Sequence, residues 1–420
     1  MVKKKVVLAY SGGLDTSMML KWIQEEYGMD VISCILDVGQ QTDLKAVEEK
    51  AWNLGVLNHY TFDGKEEFAR EYVFPAVKAN ALYMGTYPVS SSLSRPLIVK
   101  KIVEVAEMED ADAVAHGCTG KGNDQVRFDL TFKALNPDLQ IIAPVREWKF
   151  DRNSQIEWAK EHGIPIPVTA DSPYSVDQNL WGRSIEGGIL EHPDQMAPDE
   201  GVWEWTVDVE DAPDEPEYVK IGFHKGVPSS IDGEDIGPVE ILQLLNKKGG
   251  EHGIGRIEHM EDRVVGLKTR ETYEIPAAEI IINAHQDLEK MVLTKHQKAF
   301  KFQVEHTWAS IVYQGLWIDP FKQDLDAFID STQQNVTGEV TMKLFKGAAK
   351  PVARESPFSL YDYNLASFDI NTHYDQGDAV GFINLWGLPS VSAWNLKRKI
   401  ADEGIQELKK KVVPVPTGDS

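Results

Sequence analysis

The first third of the chain alternates short apolar runs with stretches of helical period, and that alternation leaves few folds open. Residues 6–10 read as an apolar strand. A glycine turn follows, then a helix with Met19, Trp22, Ile23 and Tyr27 on one face. Residues 31–36 read as a second strand, 43–54 as a helix, and 58–62 as a third strand. Residues 66–82 read as a helix that Pro75 kinks. After a polar loop over 83–95, Pro96 stands at the start of a helix faced by Ile98, Ile102, Val105 and Ala106. Strands at 113–115 and 139–143 complete the set. This pattern predicts an α/β domain, a parallel doubly wound sheet with helices on both faces. Ligands of such sheets bind beyond the carboxyl ends of the strands, so the loops that follow strands carry the chemistry.

The pattern changes at 162–167, His-Gly-Ile-Pro-Ile-Pro, which reads as a hinge. Hairpin-like segments at 218–223, 256–268 and 340–344, mixed with helical stretches at 277–292 and 324–334, predict a separate α+β domain. The acidic run Asp208, Glu210, Asp211, Asp214, Glu215 and Glu217 reads as a solvated surface loop. From 378 the chain reads as a partly helical tail that includes Lys409, Lys410 and Lys411. Pro389 is expected to break that helix, so its start is placed after Pro389. The expected domains are 1–165, 166–377 and 378–420.

Composition excludes several classes. Lys and Arg number 43 against 66 Asp and Glu, a net charge of −23. Such a surface repels phosphate backbones, so no nucleic-acid partner is expected. Two cysteines, Cys34 and Cys118, are too few for a disulfide framework, and a reduced, cytoplasmic protein is the simple reading. No membrane span is expected either. The apolar start ends at Tyr10, and the uncharged stretch 379–396 is interrupted by Gly381, Asn384, Gly387 and Pro389. No His/Glu spacing suggests a protein-bound metal.

Two loops stand out. Ser11-Gly12-Gly13-Leu14-Asp15-Thr16-Ser17 lies directly between a strand and a helix. Its glycines let the backbone approach an anion, its hydroxyls donate, and the helix start adds unpaired N–H groups. It is a phosphate cradle without the Gly-Lys-Ser/Thr that grips a transferable γ-phosphate. The second loop runs from Ala115 through His116-Gly117-Cys118-Thr119-Gly120-Lys121-Gly122-Asn123-Asp124-Gln125-Val126-Arg127 to Phe128. Asp124 and Arg127 are three apart and share a helical face, so one suits an ammonium and the other a carboxylate. An amino-acid zwitterion needs both. His116 reads as a satisfied histidine at a strand end, not a base.

The first loop resembles the pyrophosphate loop of the N-type ATP pyrophosphatases, whose fold is adenine nucleotide α-hydrolase-like. Its members cleave ATP between the α- and β-phosphates. The second loop is more specific. It closely resembles that of the argininosuccinate synthase family. Similar segments recur at 91–96, 163–167, 247–255, 354–357 and 381–383, so the resemblance spans roughly residues 5 to 400. It implies ATP binding by Ala9, Tyr10, Ser11, Gly12, Gly13, Leu14, Asp15, Thr16 and Ser17, with Leu36 (placed after the second strand) and Gly117. It implies aspartate binding by Thr119, Asn123 and Asp124. Citrulline binding falls on Tyr87, Ser91 or Ser92 (Ser92 preferred), Asn123, Arg127, Ser175, Ser184, Glu261 and Tyr273. Read without the resemblance, Ser175 suits a helix N-cap before Val176 and Asp177.

The implied chemistry is a ligase reaction of arginine biosynthesis. The citrulline ureido oxygen attacks the α-phosphate of ATP, pyrophosphate leaves with Mg²⁺ and loop donors neutralising it, and the aspartate amine displaces AMP from the citrullyl-adenylate. Asp124 is the implied catalytic carboxylate and Arg95 a candidate for extra positive charge. The tail is implied to cross between subunits of a homotetramer. Two other readings use the same first loop. A tRNA-thiolating enzyme wants a basic surface and paired reactive cysteines, and this chain has neither. A nucleotide sensor has no use for a second-substrate loop such as 119–127.

Overall fold

Five strands pair in parallel in the first third of the chain. They are β1 (Lys5–Ala9), β2 (Asp30–Asp37), β3 (Asn58–Asp63), β4 (Ala113–Ala115) and β5 (Gln140–Ile142), in the sheet order β3–β2–β1–β4–β5. The computed structural model describes residues 3–148, 152–165, 173–198, 200–368 and 373–411, so the Ile166–Pro167 end of the expected hinge lies outside the described residues. The α/β expectation holds. The connecting helices are α1 (Leu14–Trp22), α2 (Leu44–Asn53), α3 (Lys65–Phe68), α4 (Phe74–Lys78), α5 (Ser90–Met108), α6 (Asp124–Leu135), α7 (Pro144–Glu147) and α8 (Arg152–Glu161). A π-type turn at Ala69–Val73 joins α3 to α4, immediately before Pro75, which supplies the expected kink.

Two expectations about proline fail in the same way. The polar stretch read as a loop over 83–95 is helical from Ser90, and Pro96 lies inside α5 instead of at its start. Serines 90, 91, 92 and 94 are buried, so the composition that signals a loop here lines a packed helix start. Likewise the helix Asp378–Lys411 runs through Pro389.

The second part of the chain builds two antiparallel sheets. β6 (Ser175–Asn179), β7 (Gly182–Glu186), β11 (Arg256–Asp262) and β12 (Lys268–Glu274) form one, in the order β11–β12–β7–β6. β8 (Glu217–His224), β9 (Val227–Ile231), β10 (Glu234–Asp235), β13 (Gly338–Phe345) and β14 (Ala348–Glu355) form the other, in the order β10–β9–β8–β13–β14. Helices α9 (Pro238–Glu251), α10 (Pro276–Val292), α11 (Lys295–Tyr313) and α12 (Pro320–Gln333) pack with them. Ser175 therefore opens a strand and caps no helix.

Packing divides the chain into two units, Met1–Leu360 and Tyr361–Ser420. Within the first, residues 68–97 share one apolar core with Trp181, Ile221, Ile280 and Trp308 of the second half. The opposite end of α5 (Val99, Ile102, Val103, Ala106) packs on Val7, Ile32 and Val114 of the parallel sheet. One helix thus touches both cores. The second unit contains α13 (Tyr363–Ala366) and α14 (Asp378–Lys411), which carries Pro389 in its interior. The side chains around Pro389 are exposed, so water can take the carbonyl its ring leaves unpaired.

In the first turn of α10, burial pushes the Glu279 carboxyl up to about 7 against the pull of a backbone hydrogen bond from Gly255. A carboxyl raised in the folded state opposes folding only where it must ionise. The penalty is absent below the ordinary Glu range and complete above about 7. Glu279→Gln is therefore expected to raise stability at pH 8 by about 1–2 kcal/mol and to leave it unchanged at pH 4.5. Urea unfolding at the two pH values checks this.

Candidate active site

The two loops singled out in the sequence leave adjacent strands. β1 pairs with β4 through Val6–Ala113, Val7–Val114 and Leu8–Ala115, where the strand order reverses. The loops after β1 and β4 therefore emerge side by side at the switch point, where open α/β sheets bind ligands. They touch. A Cβ on Gly117 would sit 3.0 Å from Met19 Sδ and 3.6 Å from Thr16 Cγ2.

In the first loop Gly12 has φ +76°, and a Cβ there would meet Val47 Cγ2 at 2.7 Å. Among the described residues, the N-cap of α1 at Gly13 has no side-chain capping hydrogen bond, and a helix start of this kind suits an anion. The hydroxyls divide into two sets. Ser11 Oγ and Thr16 Oγ1 lie 3.1 Å apart at the partly open rim. Ser17 is buried and donates to the Gly13 carbonyl at 2.7 Å, so it shapes the loop from inside. Lys50 Nζ donates to the Gly12 carbonyl at 2.8 Å. Ala9 ends β1, while Tyr10 and Leu14 are buried and Asp15 is exposed. Leu36 lies inside β2 and does not follow it. It is buried near the carboxyl end, and its carbonyl accepts from Gln40 Nε2 at 2.8 Å.

The second loop leads into a web of charge. His116 is buried, accepts from the Cys118 N–H at Nδ1 (3.2 Å) and bonds Asp129 through Nε2 (2.8 Å), so it is fully satisfied. Asp124 opens α6. Its Oδ2 accepts from Arg95 Nε (2.9 Å) and Nη2 (2.7 Å), and its Oδ1 accepts from Arg127 Nη1 (2.7 Å). Burial raises the Asp124 pKa, but the Arg95 and Arg127 guanidiniums outweigh it and hold the carboxyl well below its usual range. Arg95 also donates to Asp177 on β6. Thr119 is exposed at the rim.

The strand register explains how distant residues meet. Across β6–β7–β12, Asp177 opposes Ser184, and Ser184 opposes Tyr273. Two steps along lie Ser175 on β6 and Glu271 on β12, and on β11 Ile257, His259 and Glu261 share the face of Tyr273. Four of the sequence-expected residues (Ser175, Ser184, Glu261, Tyr273) therefore line one face of one sheet. The start of α5 is tied to that face, because Asn179 Nδ2 donates to the Ser90 carbonyl at 3.0 Å. Val89, just before α5, is left-handed at φ +52°, a strained conformation for a β-branched residue. The Ser92 hydroxyl is buried and has no hydrogen-bond partner among the described residues.

Glu261 is 1% exposed and carries several donors. Tyr273 donates to its Oε2 at 2.9 Å, His259 Nε2 lies 3.2 Å from the same oxygen, and Tyr313 donates to Oε1. Burial, then the Glu261 charge, raises both phenols, so they stay neutral donors. Tyr87 stacks on Tyr273 with centroids 4.2 Å apart, and burial pushes its phenol up to about 12. Tyr313, with Tyr83 stacked on it at 3.6 Å, is absent from the sequence reading. It ends a helix some fifty residues beyond Glu261 with no motif around it, so nothing local marks it.

Among the described residues no three His, Cys, Asp or Glu side chains are placed to hold a metal ion. The N–H and hydroxyl donors of the first loop suit the phosphate oxygens of a nucleotide.

Two family models match the chain: "Arginosuccinate synthase N-terminal HUP domain" over residues 5–165 and "Arginosuccinate synthase C-terminal domain" over 174–393. Similar curated proteins, each named argininosuccinate synthase, come from Bacillus pumilus, Anoxybacillus flavithermus and Pyrococcus furiosus. The first is 55% identical over 92% of this chain and 96% of its own length. The second is 55% identical over 96% and 100%. The third is 52% identical over 97% and 99%.

Gly12→Ala combines a left-handed backbone, costing about 1–2 kcal/mol, with the clash on Val47. The variant is expected to fold and to show a KM for ATP raised about tenfold. Adding Val47→Ala is expected to recover part of the loss, which initial-rate kinetics on the pair will show.

Proposed function

The chain belongs to the argininosuccinate synthase family, and from that premise we propose how its pocket divides the work of joining citrulline to aspartate at the expense of ATP. The activity is that of a ligase of arginine biosynthesis. The reading assigns residues 9–17 with Leu36 and Gly117 to ATP. Thr119, Asn123 and Asp124 take aspartate. Tyr87, Ser92, Asn123, Arg127, Ser175, Ser184, Glu261 and Tyr273 take citrulline.

The observation that carries this division is the close approach of the two loops. The helix start that suits a pyrophosphate lies against Gly117, six residues before an Asn-Asp pair and ten before Arg127. Citrulline's urea is a weak electrophile because its nitrogens donate into the carbonyl. Its oxygen is the nucleophile of the first step and attacks the α-phosphorus, and pyrophosphate departs towards the α1 N–H groups. The ureido carbon, now an adenylate, accepts the aspartate amine, and AMP leaves. Holding both partners in one pocket makes each step effectively unimolecular. Mg²⁺ enters with the nucleotide. Asp124, kept ionised by Arg95 and Arg127, suits an ammonium. Arg95, anchored to Asp124 and Asp177, adds positive charge near the reacting phosphate. The orphaned hydroxyl favours Ser92 over Ser91 as a ligand to citrulline.

The domain division of the reading is 1–165 for the nucleotide, 166–377 for the amino acids and 378–420 for self-association into a homotetramer. Exposed Phe382, Leu385, Trp386 and Trp394 on α14 support the last assignment. A cytoplasmic location goes with the buried, unpaired Cys34. No helix among the described residues is long and apolar enough to cross a membrane.

A pyrophosphate assay tests the reading. ATP, citrulline and aspartate together are expected to give AMP and pyrophosphate in equal amounts, with no release when citrulline is left out. ADP with orthophosphate would contradict it.

A further inference from the structure

Tyr313 touches four of the residues that the reading above gives to citrulline. Its hydroxyl accepts from Asn123 Nδ2 at 2.8 Å and donates to Glu261 Oε1. Its backbone carbonyl accepts from Arg127 Nε at 3.0 Å and Nη2 at 2.8 Å. Its ring lies 5.0 Å from the Arg127 guanidinium carbon and meets Tyr87 edge-on at 6.2 Å, with Tyr83 stacked at 3.6 Å. Among the described residues, no other side chain of the pocket joins so many of its members.

The direction of the bonds matters. Glu261 accepts only, so the phenol proton points to it, and the phenol oxygen is left to accept from Asn123. That fixes the Asn123 amide, whose Oδ1 in turn accepts from the Val264 N–H at 2.8 Å. The chain amide–phenol–carboxylate runs from the start of α6 beside the parallel sheet to β11 of the antiparallel sheet. We propose that Tyr313 is a positioning residue of the citrulline pocket, which sets Asn123, Arg127 and Glu261 in mutual register across the two halves of the chain. The role rests on the assignment of that pocket to citrulline.

Tyr313→Phe removes the hydroxyl and keeps the ring, the stacking and the carbonyl that holds Arg127. The variant is expected to raise the KM for citrulline about tenfold, to change kcat less than about threefold, and to leave the KM for ATP unchanged. Glu261→Gln and the double variant complete a cycle. If the hydroxyl acts through Glu261, the double variant's KM for citrulline lies well below the product of the two single effects. An unchanged KM for citrulline, an equal rise for citrulline and ATP, or fully multiplicative effects would overturn the role. Wild-type protein that releases no pyrophosphate with citrulline would overturn the pocket assignment itself, and the role with it.

Discussion

The pairing of β1 with β4 decides what this molecule can do. Sequence separates the loops after these strands by about a hundred residues, and parallel pairing sets them side by side. One ends in the start of α1, with Gly13 at its N-cap. The other leads into Asn123, Asp124 and Arg127. On the proposed assignment, a diphosphate leaving group and an amino-acid head group share one pocket, and a reaction between three molecules becomes a matter of position.

Helix α5 carries that pocket across the two halves of the larger unit. Its apolar end belongs to the core of the parallel sheet, and its serine-rich start is bonded to the four-stranded antiparallel sheet through Asn179. Arg95 lies between the ends and bonds carboxylates on both sides, Asp124 and Asp177. The buried Arg127 and the half-buried Arg95 share Asp124, which holds a partly exposed carboxylate between two cations with its hydrogen bonds made. A substrate ammonium at Asp124 would meet a carboxylate that is already ionised and already held in place.

Much of this was legible in the sequence. The parallel sheet follows from apolar runs separated by helical periods, and the first loop from glycines and hydroxyls between strand and helix. What was missed has physical causes. Buried serines before Pro96 look like a loop, because composition does not report burial. Pro389 looks like a helix end, because an exposed helix can leave one carbonyl to water. Leu36 is one step inside its strand rather than beyond it. Tyr313 and Tyr83 act through long-range packing, which no local pattern encodes. The citrulline set came from resemblance, and only strand register explains why Ser175, Ser184, Tyr273 and Glu261 share a face.

The account turns on which atom of citrulline attacks which phosphorus. Citrulline labelled with ¹⁸O in the ureido group, turned over once with ATP and aspartate, puts the question to mass spectrometry of the nucleotide product. Attack by the ureido oxygen on the α-phosphorus requires one label in the phosphate of AMP and none in pyrophosphate. Label retained outside the nucleotide, or found in a phosphate released from the far end of ATP, would contradict it.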